Sequence, residues 1–304
     1  MDDDQGPGQP GQAAGLGQPG QSAGPGQPGQ PGQAAGPGQA AGPGQAAGPG
    51  RYEVDGVVAT ITMTTAALGL AAKRELLACV RQAAGDDGIR AVVLTGTGRA
   101  FNVGQDLGEH AVALRERGAD AFDTIGEHYG PLITELATMP KPVLAAINGT
   151  CAGAGLGIAL ACDLRIAAAG ARFTTAFTGI GLTPDSGLSA SLSRAVGTAR
   201  ASELIMLAEP FTAEDALTWG LVGRVVLGSE LAEVAGELAA RLAAGPTRAY
   251  ATAKRAIRQA WAAGWPEVLA AEARDQAALG ATADHRGAVD AFLAKRRPEF
   301  TGRD

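Results

Sequence analysis

Hydrophobic and polar positions change their period repeatedly between Arg51 and Leu188. Val54–Met63 reads as a strand, and Leu70–Ala84 as a helix with Leu76, Leu77 and Val80 on one face. Ile89–Thr95 is a near-continuous β-branched run, the pattern of a strand covered on both faces. A helix over Ile125–Ala137 ends at Pro140 and Pro142. The strand Val143–Ile147, the short helix Gly155–Ala161 and the strand Leu164–Ala168 follow. Beyond Leu188 the pattern is mainly helical, over Ala199–Leu207, Ala213–Trp219, Glu230–Leu242, Pro246–Ala263, Pro266–Leu279 and His285–Lys295. Strands alternating with helices, then a helical end, predict an α/β fold with a mostly parallel sheet.

The first fifty residues have no such pattern. They hold 16 Gly, 9 Pro and 10 Gln, no Lys or Arg, and only Met1 and Leu16 as apolar side chains larger than Ala. Such a segment cannot bury enough apolar surface to offset its ordering entropy, so a disordered tail is expected over 1–50. Its Ala-Ala-Gly-Pro-Gly-Gln repeats break the Gly-every-third rule of collagen, leaving a flexible, partly polyproline-like arm. A sizeable folded part remains. Asp2, Asp3 and Asp4 supply half of the net charge of −6, leaving 25 basic against 28 acidic residues from position 51 onward. That balance gives no footprint for nucleic-acid binding.

Cys79, Cys151 and Cys162 are an odd, scattered set, which argues against a disulfide framework and for a reducing compartment; a cytoplasmic location is expected. Three histidines (His110, His128 and His285) without metal-ligand spacing make a zinc site unexpected. No signal-peptide pattern opens the chain. The uncharged stretch between Lys141 and Asp163 contains four glycines and Asn148, which suits a strand, turn and helix better than a membrane span.

Chemistry points to two glycine-bearing loops that close buried strands. One is Gly98–Leu107, with Val103, Gly104, Gln105 and Asp106; the other is Asn148–Gly155, with Gly153 and Ala154. Parallel sheets place ligands at the carboxyl ends of their strands, and glycine lets a ligand approach the backbone. A helix starting near Ala154 would aim free N–H groups at an anion or a polarised carbonyl. One N–H from each loop would make an oxyanion hole. Taken singly, each loop could equally be a tight packing turn.

Together, the Arg99–Leu107 loop, the Lys141–Asp163 segment and the ending Phe292–Phe300 resemble the crotonase (enoyl-CoA hydratase/isomerase) superfamily over the whole of 51–304. The loops Gly104–Leu107, Tyr129–Leu132 and Gly181–Gly187 are most similar to its ring-1,2-epoxyphenylacetyl-CoA isomerase-type members. The resemblance implies a spiral of β-β-α turns over 51–245 and a C-terminal helical region over 246–304 that packs subunits into a homotrimer or a dimer of trimers. It implies an acyl-CoA thioester substrate, coenzyme A entering only as part of it and no permanently bound cofactor. The backbone N–H groups of Gln105 and Ala154 would polarise the thioester carbonyl. Val103, Gly104, Asp106, Leu107, Tyr129, Gly153 and Phe177 would line the site, and Phe292 and Lys295 would reach a neighbouring subunit's coenzyme A.

The positions matching the two hydratase glutamates are Gly157 and Phe177, neither of which moves a proton. Asp185, 31 residues after Ala154, falls where related isomerases and a dehalogenase carry a catalytic aspartate. One carboxylate can shuttle a proton between two carbons of a dienolate, so an acyl-CoA isomerase is the leading expectation. Asp185 is also placed to cap a helix after Pro184. An enoyl-CoA hydratase with another base, and a non-catalytic acyl-CoA binder, stay open as alternatives. The family's Asn-Arg-Pro turn is replaced by a shorter Thr64–Leu70, leaving Lys73 or Arg74 as stand-ins for contacts to coenzyme A phosphates. His110 and His128 lie in the segment expected to line the acyl pocket, and Trp219, Trp261 and Trp265 read as packing residues.

Overall fold

A computed structural model describes residues 50–302; the tail expected over 1–50 lies, except for Gly50, outside the described residues. Two sheets form the frame. The larger has the order β1 (Gly50–Asp55), β2 (Val58–Met63), β3 (Ala91–Gly96), β5 (Val143–Ile147), β7 (Leu164–Ala168) and β10 (Arg224–Val226). It is parallel throughout except for the β1–β2 hairpin, which turns at Gly56 with φ +57°. The smaller contains β4 (Ala100–Asn102), β6 (Thr150–Ala152), β8 (Arg172–Thr174) and β9 (Phe211–Thr212).

Each turn of the chain adds one strand to each sheet and then a helix. β3 and β4 lead to α2 (Leu107–Arg117), β5 and β6 to α4 (Ala154–Ala161), and β7 and β8 to α5 (Leu188–Leu207). This is the expected β-β-α spiral. The strands β3 and β5 are apolar and buried because helices cover both faces of the sheet. On one side lie α1 (Leu70–Gly85) and α3 (Gly130–Thr138), with Leu76, Val80, Leu132 and Leu136 fully buried. On the other, α7 (Leu231–Ala243) closes over Val93, Leu144 and Ile166. The stretch between Lys141 and Asp163 is β5, β6 and α4, and among the described residues no helix is long and apolar enough to cross a membrane.

The remaining helices are α6 (Ala213–Thr218), α8 (Thr247–Gln259), α9 (Trp265–Gly280) and α10 (Ala283–Leu293). Lys254 of α8 is tied to Asp163 at 2.8 Å, and Arg258 stands 3.6 Å from the same carboxylate. The segment after α10 folds back to the core. Arg90 donates to the carbonyls of Phe300 and Gly245, and Asp284 accepts from the N–H groups of Thr301 and Gly302. No residue of α9 is buried, and Trp261, Trp265, Phe292 and Leu293 are exposed, the largest at 79% (Trp265) and 81% (Phe292). Trp219 packs as expected, against Phe211 at 5.2 Å; Trp265 does not, and Trp261, largely exposed, has the Arg194 guanidinium 5.7 Å from its ring centre.

Several elements differ from expectation. Val54–Met63 is the end of one strand, a turn and a second strand. The helix expected over Ile125–Ala137 begins as a wide π-turn, Ile125–Tyr129, before α3. The helix expected from Ala199 starts at Leu188 and passes through a kink at Gly197.

Candidate active site

The loop after β4 is built on a side chain. Asn102 is fully buried, and its Oδ1 accepts the N–H of Gly104 at 2.8 Å, an Asx-turn that carries Gly104 to φ +82°. The other edge of this loop lies along the short segment after β2. Val103 N–H donates to the Ala66 carbonyl at 2.8 Å, Leu68 N–H to Gly104 at 2.7 Å, and Asp106 N–H to Leu68 at 3.2 Å. Because Gly104 and Asp106 both turn their groups to Leu68, the N–H of Gln105 between them points the opposite way.

The loop after β6 turns at Gly153, φ +53°, whose N–H donates to Thr174 at 3.1 Å. Ala154 then opens α4, so its N–H has no acceptor within the helix and lies at the positive end of the helix dipole. Among the described residues, neither the Gln105 nor the Ala154 N–H has a hydrogen-bond acceptor. The two loops touch through backbone. A Cβ on Gly104 would sit 2.9 Å from the nitrogen of Ala154, and one on Gly155 would overlap the carbonyl of Asn102. Phe177, buried, lies against Gly153.

Asp185 lies in a third loop, which packs on α4. Ser186 has φ +53° and Gly187 φ +67°, and this left-handed pair lays the loop over α4 with Gly187 near Ile133 of α3. Gly187, not Asp185, is the cap residue of α5, and the Asp185 carboxylate instead accepts Ser186 Oγ–H at 2.6 Å. Half-buried, Asp185 has its proton affinity raised by desolvation, with the Ser186 hydroxyl pulling the other way. Tyr129 is buried beside it. Burial raises the phenol's pKa, and the nearby charges of Asp185 and Glu109 add to the effect. The Tyr129 hydroxyl donates to Gln105 Oε1 at 3.1 Å, linking the Asp185 side of the site to the first loop.

Beneath Gln105 is a polar cluster that the sequence did not announce. Lys73, 3% exposed, donates to Gln105 Oε1 at 3.0 Å and to Thr124 Oγ1 at 2.7 Å; its ammonium lies 5.6 Å from the Tyr129 ring centre. Thr124 Oγ1 is 3.2 Å from Nδ1 of His128, a histidine held below its ordinary pKa by burial and by the Lys73 charge. Lys73 is thus not free to meet a coenzyme A phosphate; Arg74 is exposed. Asp106 caps α2, accepting the Glu109 N–H at 2.9 Å, and Leu107 and Val103 are exposed at the rim. His110 stacks edge-on with Phe122 at 5.1 Å. Phe292 and Lys295, in α10 and just after it, are exposed.

The family model described as enoyl-CoA hydratase/isomerase matches residues 53–303. The chain belongs to the enoyl-CoA hydratase/isomerase family. It is 44% identical to a Rhodobacter capsulatus protein named "Probable enoyl-CoA hydratase", over 83% of this chain and 98% of that one. It is 42% identical to the 1,2-epoxyphenylacetyl-CoA isomerase of Escherichia coli, over 75% of this chain and 87% of that one. A Mycobacterium abscessus crystal structure, named among the enoyl-CoA hydratases/isomerases, is 47% identical with a TM-score of 0.81, covering 84% of this chain and all of the other. The expected crotonase fold is thereby established. Gly157, expected from the resemblance to match a hydratase glutamate, is roofed over: a Cβ there would lie 2.8 Å from both the Cβ and the carbonyl oxygen of Ser186.

Proposed function

We propose that the protein is an acyl-CoA isomerase that works through a thioester enolate. The N–H groups of Gln105 and Ala154 receive the thioester oxygen, and charge gathers there as the α-proton leaves. Asp185 takes a proton from one carbon of the acyl group and returns it to another, which moves a double bond, along a chain or within a ring, without any water. The observation that carries the choice of isomerase is the Ser186 roof over Gly157. It fills the space of one acid/base residue, while the buried Phe177 fills the other such position, which leaves Asp185, next to Ser186, as the candidate carboxylate.

Asp185→Asn is expected to reduce conversion of a 3-enoyl-CoA to the 2-enoyl-CoA by at least about 100-fold. Acyl-CoA binding, read by calorimetry, should hardly change. Full activity in this variant would make Asp185 structural. Crotonyl-CoA separates the hydratase reading: appearance of the 3-hydroxy product at a rate matching isomerisation overturns isomerase as the main activity.

The assembly proposed is a homotrimer, or a dimer of trimers, built through α9 and α10. The apolar residues these helices leave in solvent support it, Phe292 at 81% exposure among them; Phe292 is the residue that the family resemblance brings to a neighbouring subunit's coenzyme A. Three unpaired buried thiols suit a reducing compartment such as the cytoplasm.

A further inference from the structure

An ammonium group buried to 3% exposure costs free energy unless its donors are satisfied, and the usual partner is a carboxylate. Lys73 has none within ion-pair distance among the described residues. The two acids whose charge it feels are engaged elsewhere: Glu109 holds the N–H of Leu70 with both oxygens at 2.9 Å, and Asp106 holds the N–H of Glu109. Lys73 instead grips a neutral oxygen, Oε1 of Gln105, which the Tyr129 hydroxyl also grips from its own side. The backbone N–H of that same Gln105 is one of the two unsatisfied donors.

We propose that Lys73 is a positioning residue for the oxyanion loop: with Tyr129 it clamps the Gln105 side chain and so fixes the direction of the Gln105 peptide N–H. This rests on the enolate reading given above. A glutamine side chain has three rotatable bonds, and a loop residue held only on the Leu68 side can rock about that edge. Two donors on Oε1 fasten its side chain as well, in a direction the Leu68 edge does not hold. The ammonium, in a water-poor setting, also places positive charge one side chain away from the developing oxyanion.

Lys73→Met keeps the length of the side chain and removes donor and charge. On trans-3-hexenoyl-CoA it should lower kcat roughly tenfold with KM within about twofold, because the loop is misaimed while the rest of the substrate still binds. Gln105→Met should cost a similar factor, and the double variant should be no worse than Gln105→Met alone. The second readout is the infrared carbonyl band of 2-hexenoyl-CoA labelled with carbon-13 at the thioester. It needs binding only: the band should shift to low frequency on the wild-type protein and move back toward its free position on Lys73→Met. Should that variant fail to fold, Tyr129→Phe removes the other donor and should move the band the same way. A wild-type band shift retained in full by Lys73→Met or Tyr129→Phe, or additive losses in the double variant, overturns the clamp. No shift on the wild-type protein itself overturns the enolate reading, and the clamp with it.

Discussion

Ser186 carries two separate tasks in one residue. Its backbone, at φ +53°, roofs Gly157, and its hydroxyl donates to the Asp185 carboxylate. Desolvation raises the proton affinity of Asp185, and that hydroxyl offsets part of the rise. Removing it in Ser186→Ala lets the affinity climb further. A base must be ionised to act, so the acidic limb of the pH profile of kcat/KM should move to higher pH in this variant. An unmoved limb would mean that the limb belongs to another group. The same scale explains why Lys73 escapes a reading of the chain. It stands in an amphipathic helix where lysine ordinarily faces water, and its partners Gln105 and Thr124 lie 32 and 51 residues away. No local pattern encodes contacts at that separation.

At the scale of elements, the site exists because two loops from successive turns of the spiral meet backbone to backbone. Gly104 tolerates a side chain poorly, since it has a left-handed φ and a Cβ there would face the nitrogen of Ala154. Gly104→Ala should lower kcat by roughly 10- to 100-fold, measured beside thermal unfolding, because a displaced donor costs far more rate than stability. These loops were legible in the sequence, as were β3, β5 and β7, because long apolar runs ending in glycine leave a strong imprint. The strands of the smaller sheet were not, being two or three residues long, too short to establish a period. The β1–β2 hairpin was read as one strand because Gly56 is a single interruption in a run dominated by β-branched residues. α2 was missed since none of its residues is buried, so no apolar stripe marks it. The start of α5 was hidden by serines and by the kink at Gly197. Asp185 was found as a candidate, but its hydrogen bond to Ser186 and the roofing of Gly157 needed coordinates.

At the scale of the whole described chain, a buried spiral stands beside a helical region that leaves large apolar side chains exposed. α9 buries none of its residues, while Trp265, Leu269, Phe292 and Leu293 face solvent in the single chain. Trp265→Glu combined with Phe292→Asp should shift the sedimentation of the protein to that of a single chain and leave its far-ultraviolet circular dichroism unchanged. Retention of the larger species would place the subunit contact on another face. Those helices are not loosely appended. Lys254 pins one end through Asp163, while Arg90 and Asp284 hold the chain again at residues 300–302. A span fastened at both ends behaves as a bracket, not as a swinging arm. In the trimer proposed above it meets a neighbour already shaped, so little disorder is surrendered on docking, and severing either fastening should loosen that assembly well before the spiral itself melts.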